Sequence, residues 1–110
     1  MSSGLPKLSH LQFLVLGILL QGRRTGRQVR DRLGDFGVKK SGPAFYQLMA
    51  RLEDAGYVQG HYEQEIVDGQ IIRERCYRIL ASGRRSWEDC RNFQTSVIEE
   101  LGSAMELTGA

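Results

Sequence analysis

Apolar and polar positions alternate along this chain with two different periods, and the changes of period mark its elements. From Leu11 to Leu20 nearly every residue is apolar. A helix that is greasy on all sides is buried on more than one of them, so a first helix from about Ser9 to Gln21 is predicted to lie under its own domain and against a second copy. Thr25 can cap a second helix from about Gly26 to Leu33, which buries Val29, Leu33 and Phe36 after a turn at Arg23-Arg24-Thr25-Gly26. Phe45, Leu48, Met49 and Leu52 then recur at i, i+3, i+4 and i+7, one buried stripe on a third helix. Ser41 or Gly42 caps that helix, Pro43 suits its first position, and Gly56 closes it. The period then falls to two. Tyr57 to Val67 and Ile71 to Ile79 are rich in β-branched and aromatic residues, and Asp68-Gly69 between them is a hairpin signal.

The helical period returns from Gly83 to about Leu107, with Ser82 as the available cap. Trp87, Cys90, Phe93 or Gln94, Val97, Leu101 and Met105 fall three and four apart, with Glu99, Glu100 and Glu106 outside the seam. A long helix with one narrow greasy edge is expected to pack against its own copy; folding back as a further core helix is the alternative. The class is therefore mainly α with a small β-hairpin, α+β.

Charge sharpens this picture. The net charge over 110 residues is only +2, but it is unevenly spread. Arg23, Arg24, Arg27, Arg30, Arg32, Lys39, Lys40 and Arg51 face only Asp31 and Asp35 in the middle of the chain. The segment after Arg84 is acidic. A positive centre joined to an acidic tail suits a polyanion at one end only. The apolar run at 11–20 is half the length a bilayer needs and lacks the flanks of a signal peptide, so no membrane partner and a cytoplasmic setting are expected.

Little here suggests catalysis. His10 and His61 are far apart, and Cys76 and Cys90 lack the paired spacing of zinc ligands. Both cysteines read as small buried hydrophobes in a reducing compartment. No phosphate loop, nucleophile elbow or paired carboxylates stand out. No catalytic residue, metal or cofactor is expected.

Several stretches, taken in order, resemble the PadR-like family of winged-helix transcriptional regulators. Phe13 to Gly22 looks like that family's first apolar helix. Gly26 opens the second. Ser41 to Val58, with Tyr46 and the Arg51-Leu52-Glu53 run, looks like its recognition helix and following strand. Cys76-Tyr77-Arg78-Ile79 looks like its last wing strand, and Gly83 like the glycine of its final helix. The likeness covers Leu8 to Leu101. Departures fall at Arg23, Thr25, Arg27, Pro43, Gln47 and Leu80. The resemblance implies a leader at 1–7, a winged helix-turn-helix domain at 8–80 and a dimerisation helix and tail at 81–110.

It also implies a homodimeric regulator, a repressor, that inserts the helix at about 43–55 into the major groove of a pseudo-palindromic operator in double-stranded DNA. Lys39, Lys40, Ser41, Tyr46 and Arg51 would grip phosphates, with Arg23, Arg24, Thr25 and Arg27 beside them. Ala44 would lie at the groove, and Gln47, whose amide can pair with adenine, would read a base. The dimer would form through Phe13, Leu16 and Leu20 of the first helix and Trp87, Cys90, Phe93, Val97, Leu101 and Met105 of the last. A planar aromatic effector held at that interface, as in some family members, would meet Trp87 and Phe93. The wing carries Glu63, Glu65, Asp68 and Glu74 against Arg73 and Arg75. Cross-strand pairing of Glu63 and Glu65 with Arg73 and Arg75 is the expected use of these charges; a reach of Arg73 or Arg75 to the DNA backbone and a protein contact made by the wing are the alternatives. The competing function is a winged-helix module for protein or ligand with weak or no DNA affinity.

Overall fold

Local signals fix most of the element ends in the computed structural model, which describes residues 7–107, with side chains to Met105. Residues 1–6 of the expected leader and the tail beyond 107 lie outside the described residues. Helix α1 spans His10–Leu19. Ser9 caps it in a reciprocal box, in which the Gln12 amide donates to Ser9 Oγ at 3.1 Å and the Ser9 amide to Gln12 Oε1 at 3.0 Å. Thr25 and Gln28 repeat the device at the start of α2, Gly26–Asp35. Ser41 is the cap of α3, Gly42–Asp54, its Oγ accepting from the Ala44 amide. At the other end Gly56, at φ 77°, lets the chain turn off the helix. Its amide reaches the Glu53 carbonyl and that of Tyr57 the Leu52 carbonyl, a Schellman closure.

Strands β2, Val58–Val67, and β3, Gln70–Ile79, form the predicted hairpin. Asp68 and Gly69 both take positive φ, 52° and 78°, as a two-residue type I′ turn requires. A third strand was not foreseen. Arg24–Thr25, read from sequence as a turn, is a short β1 that pairs with Tyr77 and Cys76, giving an antiparallel sheet in the order β1-β3-β2. Two residues are too few to carry a period.

Val15, Leu16 and Leu19, Val29 and Leu33, the α3 stripe, Val58, Tyr77 and Ile79 form one core. Each of the four stripe residues contributes about 1.5–3 kcal/mol of transfer free energy. Phe36 is not part of it. It is 52% exposed, with the Arg32 guanidinium 4.9 Å from its ring centre.

Helix α4, Ala81–Leu107, has 27 residues and is about 40 Å long. Its start is clamped. Ser82 does not cap it but donates to the Gly56 carbonyl at 2.6 Å, and the Leu80 amide donates to the Tyr57 carbonyl at 2.9 Å. A Cβ on the buried Gly83 would run into that same carbonyl. Trp87 lies on α1, its ring stacked on Phe13 at 5.2 Å, and Cys90 is buried. Farther on, Phe93, Ile98, Leu101 and Met105 are exposed. The single seam expected from sequence is thus two. Trp87 and Cys90 belong to the protomer's own packing, as does Leu16 of α1, which has no exposed surface.

Candidate nucleic-acid interface

Helix α3 turns Phe45, Leu48, Met49 and Leu52 inward, which leaves Pro43, Tyr46, Gln47, Ala50, Arg51 and Asp54 on its open side. Ala44 lies between the two faces, half-buried. The open side has small residues at its centre and room for a groove edge. Ser41 spends its oxygen on the helix cap. Lys39 is exposed just ahead of it, and the Lys40 carbonyl accepts from Arg30 Nη2 at 3.0 Å. Arg30 also lies over the Phe45 ring at 5.9 Å. The approach to α3 is therefore fastened to α2.

The wing does not pair its charges across the hairpin as the sequence suggested. With a two-residue turn, every odd-numbered position faces an even-numbered one, as in Glu63↔Glu74, Gln64↔Arg73 and Tyr62↔Arg75. Because side chains alternate between faces, Glu63 and Glu65 lie on the opposite face of the ribbon from Arg73 and Arg75. One face carries Tyr62, Gln64, Arg73 and Arg75. The other carries His61, Glu63, Glu65, Glu74 and Cys76.

The arginine face looks toward α3. Arg73 sits 4.1 Å and Arg75 4.9 Å from the centre of the Tyr62 ring. Arg75 Nη2 reaches both oxygens of Glu53 on α3, at 3.1 and 2.9 Å. That hydrogen bond, outweighing the cost of burial, holds the Arg75 pKa above its ordinary value. Below it, burial pushes the phenol of Tyr77 up to about 12. Between wing and α3 lies an open concavity of about 630 Å³, lined by Tyr46, Ala50, Tyr62, Arg73 and Arg75 among others. The Tyr46 ring stands edge-on to Phe45, 46% exposed at its rim. Tyr62 and Glu53 escaped the sequence reading, although the parity of the turn would have placed Tyr62 beside both arginines.

The acidic face meets the other candidate cations. Arg23 forms an ion pair with Glu63, and Arg27 Nη2 donates to Glu74 Oε1 at 2.7 Å. Arg24, within β1, turns its Nη1 to the Arg23 carbonyl. Thr25 Oγ1 is the α2 cap. So the structure gathers Lys39, Lys40, Tyr46, Gln47 and Arg51 around α3, adds Arg73 and Arg75 from the wing, and ties Arg23 and Arg27 to carboxylates.

A second, smaller groove of about 300 Å³ lies between α1, α2 and the start of α4, with Phe13, Gly17, Ile18, Phe36 and Trp87 in its walls. The Trp87 indole N–H is buried and has no hydrogen-bond partner among the described residues. Burial also raises the thiol pKa of Cys90 against the small opposing effect of Gln94. Among the described residues there is no group of three His, Cys, Asp or Glu able to hold a metal ion, and no helix is long and apolar enough to cross a membrane.

No protein-family model and no curated protein sequence matches the chain. Solved structures do. A transcriptional regulator from Clostridium thermocellum superposes with a TM-score of 0.66 at 20% identity, over 84% of this chain and 89% of that one. A PadR family transcription regulator from Clostridium difficile gives 0.67 at 15%, over 93% and 100%. Bacillus subtilis PadR in complex with operator DNA gives 0.58 at 21%, over 74% of this chain and 46% of that one.

Proposed function

We propose that this chain, which has the winged helix-turn-helix fold of the PadR-type transcriptional regulators, is itself a homodimeric DNA-binding regulator, a repressor, that sets α3 in the major groove of a pseudo-palindromic operator. The observation that carries this reading is the open side of α3, where Gln47 and Ala50 stand between Tyr46 and Arg51 with Lys39 at the approach. The short Ala50 leaves room for the groove beside Gln47, and the flanking Arg51 cation and Tyr46 hydroxyl match phosphate. Gln47 is the base reader. Lys39, Lys40, Tyr46 and Arg51 hold the backbone, and Arg73, whose guanidinium carbon lies 4.1 Å from the centre of the Tyr62 ring, reaches it from the wing.

Dimerisation is assigned to α4 from Phe93 onward, where Phe93, Ile98 and Leu101 are 38%, 69% and 66% exposed, together with Phe13 of α1 and its C-cap Leu20. A planar aromatic effector is given the outer face of the Phe13–Trp87 stack. At 5.2 Å between ring centres no third ring fits between them, since each stacking step takes about 3.5 Å.

The test is duplex binding as a function of salt, on fragments from upstream of the protein's own gene. Reversing Lys39 and Lys40 to Glu should flatten the slope of log K against log salt by about two units. No duplex binding at low salt would sink the proposal. It would favour the interaction-module reading, for which the engagement of Arg23 and Arg27 by the wing already speaks.

A further inference from the structure

Two carboxylates and two guanidinium groups meet where the wing passes the start of α2. Glu63 and Glu74 are direct partners in the hairpin register, and like charges so opposed destabilise a sheet unless a cation intervenes. Here the cations come from residues distant in sequence that flank β1, the strand paired with β3. Arg23 takes Glu63 and Arg27 takes Glu74. Glu63 is held on further sides: the Cys76 thiol donates to its Oε2 at 3.3 Å, and His61 Nε2 lies 3.1 Å from its Oε1. The arginine side chains remain 54% and 70% exposed, so a second anion can reach the edges the carboxylates leave open. A carboxylate offers a guanidinium the same charge and planar pair of acceptors that a phosphate does.

We infer that Glu63 and Glu74 are internal phosphate surrogates, which occupy Arg23 and Arg27 in the free protein and are displaced when these arginines turn to an outside polyanion. DNA as that polyanion rests on the function proposed above; the exchange itself does not. The consequence is an altered salt law. A phosphate neutralised by a free cation sheds a counterion. When an arginine leaves a carboxylate to reach that phosphate, the carboxylate gathers a cation in turn, so the exchange contributes almost nothing to the slope. The acidic face of the wing thereby lowers affinity and blunts its dependence on ionic strength.

Three proteins decide the matter: native, E63Q/E74Q, and E65Q, whose carboxylate lies on the same face and makes no ion pair among the described residues. Each is titrated with inorganic tripolyphosphate by calorimetry and with duplex DNA at several salt concentrations, after circular dichroism has checked the fold. E63Q/E74Q should bind both anions several-fold more tightly at low salt, and its duplex slope should steepen by up to about two units, with E65Q unchanged. A double-mutant cycle on one pair gives a second reading that does not need the double variant to fold. R23Q should cost little tripolyphosphate affinity in the native background and clearly more beside E63Q. Unchanged affinity, or weaker binding by E63Q/E74Q, overturns the inference, because the carboxylates would then orient the arginines and not occupy them. A gain on tripolyphosphate with no form binding duplex upholds the exchange and sinks the DNA reading alone.

Discussion

Replacing Gly83 with Ala sets two physical effects against each other, and the structure says which wins. Gly83 is the third residue of α4, and on helix propensity alone the change should stabilise by up to about 1 kcal/mol. The space is already occupied. An added Cβ would overlap the Tyr57 carbonyl oxygen, and would lie 3.1 Å from its carbon and 2.9 Å from Ile79 Cγ1. Two of those three atoms are backbone, held by the Leu80 amide and the end of α3, so nothing can swing aside. Overpacking of this kind costs about 1–3 kcal/mol, which reverses the sign. Gly34 in α2 is the control, because a Cβ there meets nothing within 4 Å, and G34A should stabilise by about 0.5–1 kcal/mol. Urea unfolding followed by Trp87 fluorescence measures both. G83A at or above native stability, with G34A behaving as stated, would show that α4 can slide off Tyr57 and that the clamp at its start is not tight.

Replacing Leu101 with Glu puts a charge into the distal seam of α4 and should turn a dimer into monomer in light scattering; a native protein that runs as a monomer removes the interface. Gln47→Ala should cost about 1–3 kcal/mol on the cognate operator and little on random duplex, and equal losses on both would assign Gln47 to positioning. For Tyr77 the phenol is raised from 10.0 to about 12, so the folded state holds the proton more tightly than the unfolded chain. That contribution to stability, on the order of 2 kcal/mol, is present in full below pH 10 and is lost as pH climbs through 12. Unfolding of native protein and of Tyr77→Phe across that window reads it, and parallel curves would remove the claim.

Most of the fold could be read from short-range chemistry, because each cap and turn is written in a few adjacent residues. Ser9, Thr25, Ser41, Gly56 and Asp68-Gly69 each do in the structure what their residue types suggest. What escaped depends on partners distant in sequence. β1 exists only because Tyr77 and Cys76 come to meet it. Ser82 has the composition of a cap, yet the Gly56 carbonyl claims its hydroxyl. Phe36 had the right period for burial but lies past the end of α2, where the core no longer reaches it. In the site, the open side of α3 follows from its buried stripe. The engagement of Arg23, Arg27 and Arg75 by Glu63, Glu74 and Glu53 does not, because separations of up to 47 residues leave no local trace. The parity of the turn, by contrast, was available and would have separated the wing's charges.

The join between Ser82, Gly83 and the end of α3 makes a lever of two helices that lie on either side of the hairpin in the chain. α4 starts where α3 stops, and the contact between them runs through the Gly56 and Tyr57 carbonyls, held by the short Ser82 hydroxyl and the Leu80 amide. If the proposed dimer joins near Leu101, the far end of α4 is the handle and α3 the working tip. A tilt of about 0.1 radian at the pivot moves a handle about 40 Å long by about 4 Å. Run in reverse, a shift of that size at the interface re-aims each α3 by the same angle. Under the proposed dimer, the spacing of the two α3 helices follows from how the handles cross, and a change in that crossing alters their match to one turn of DNA.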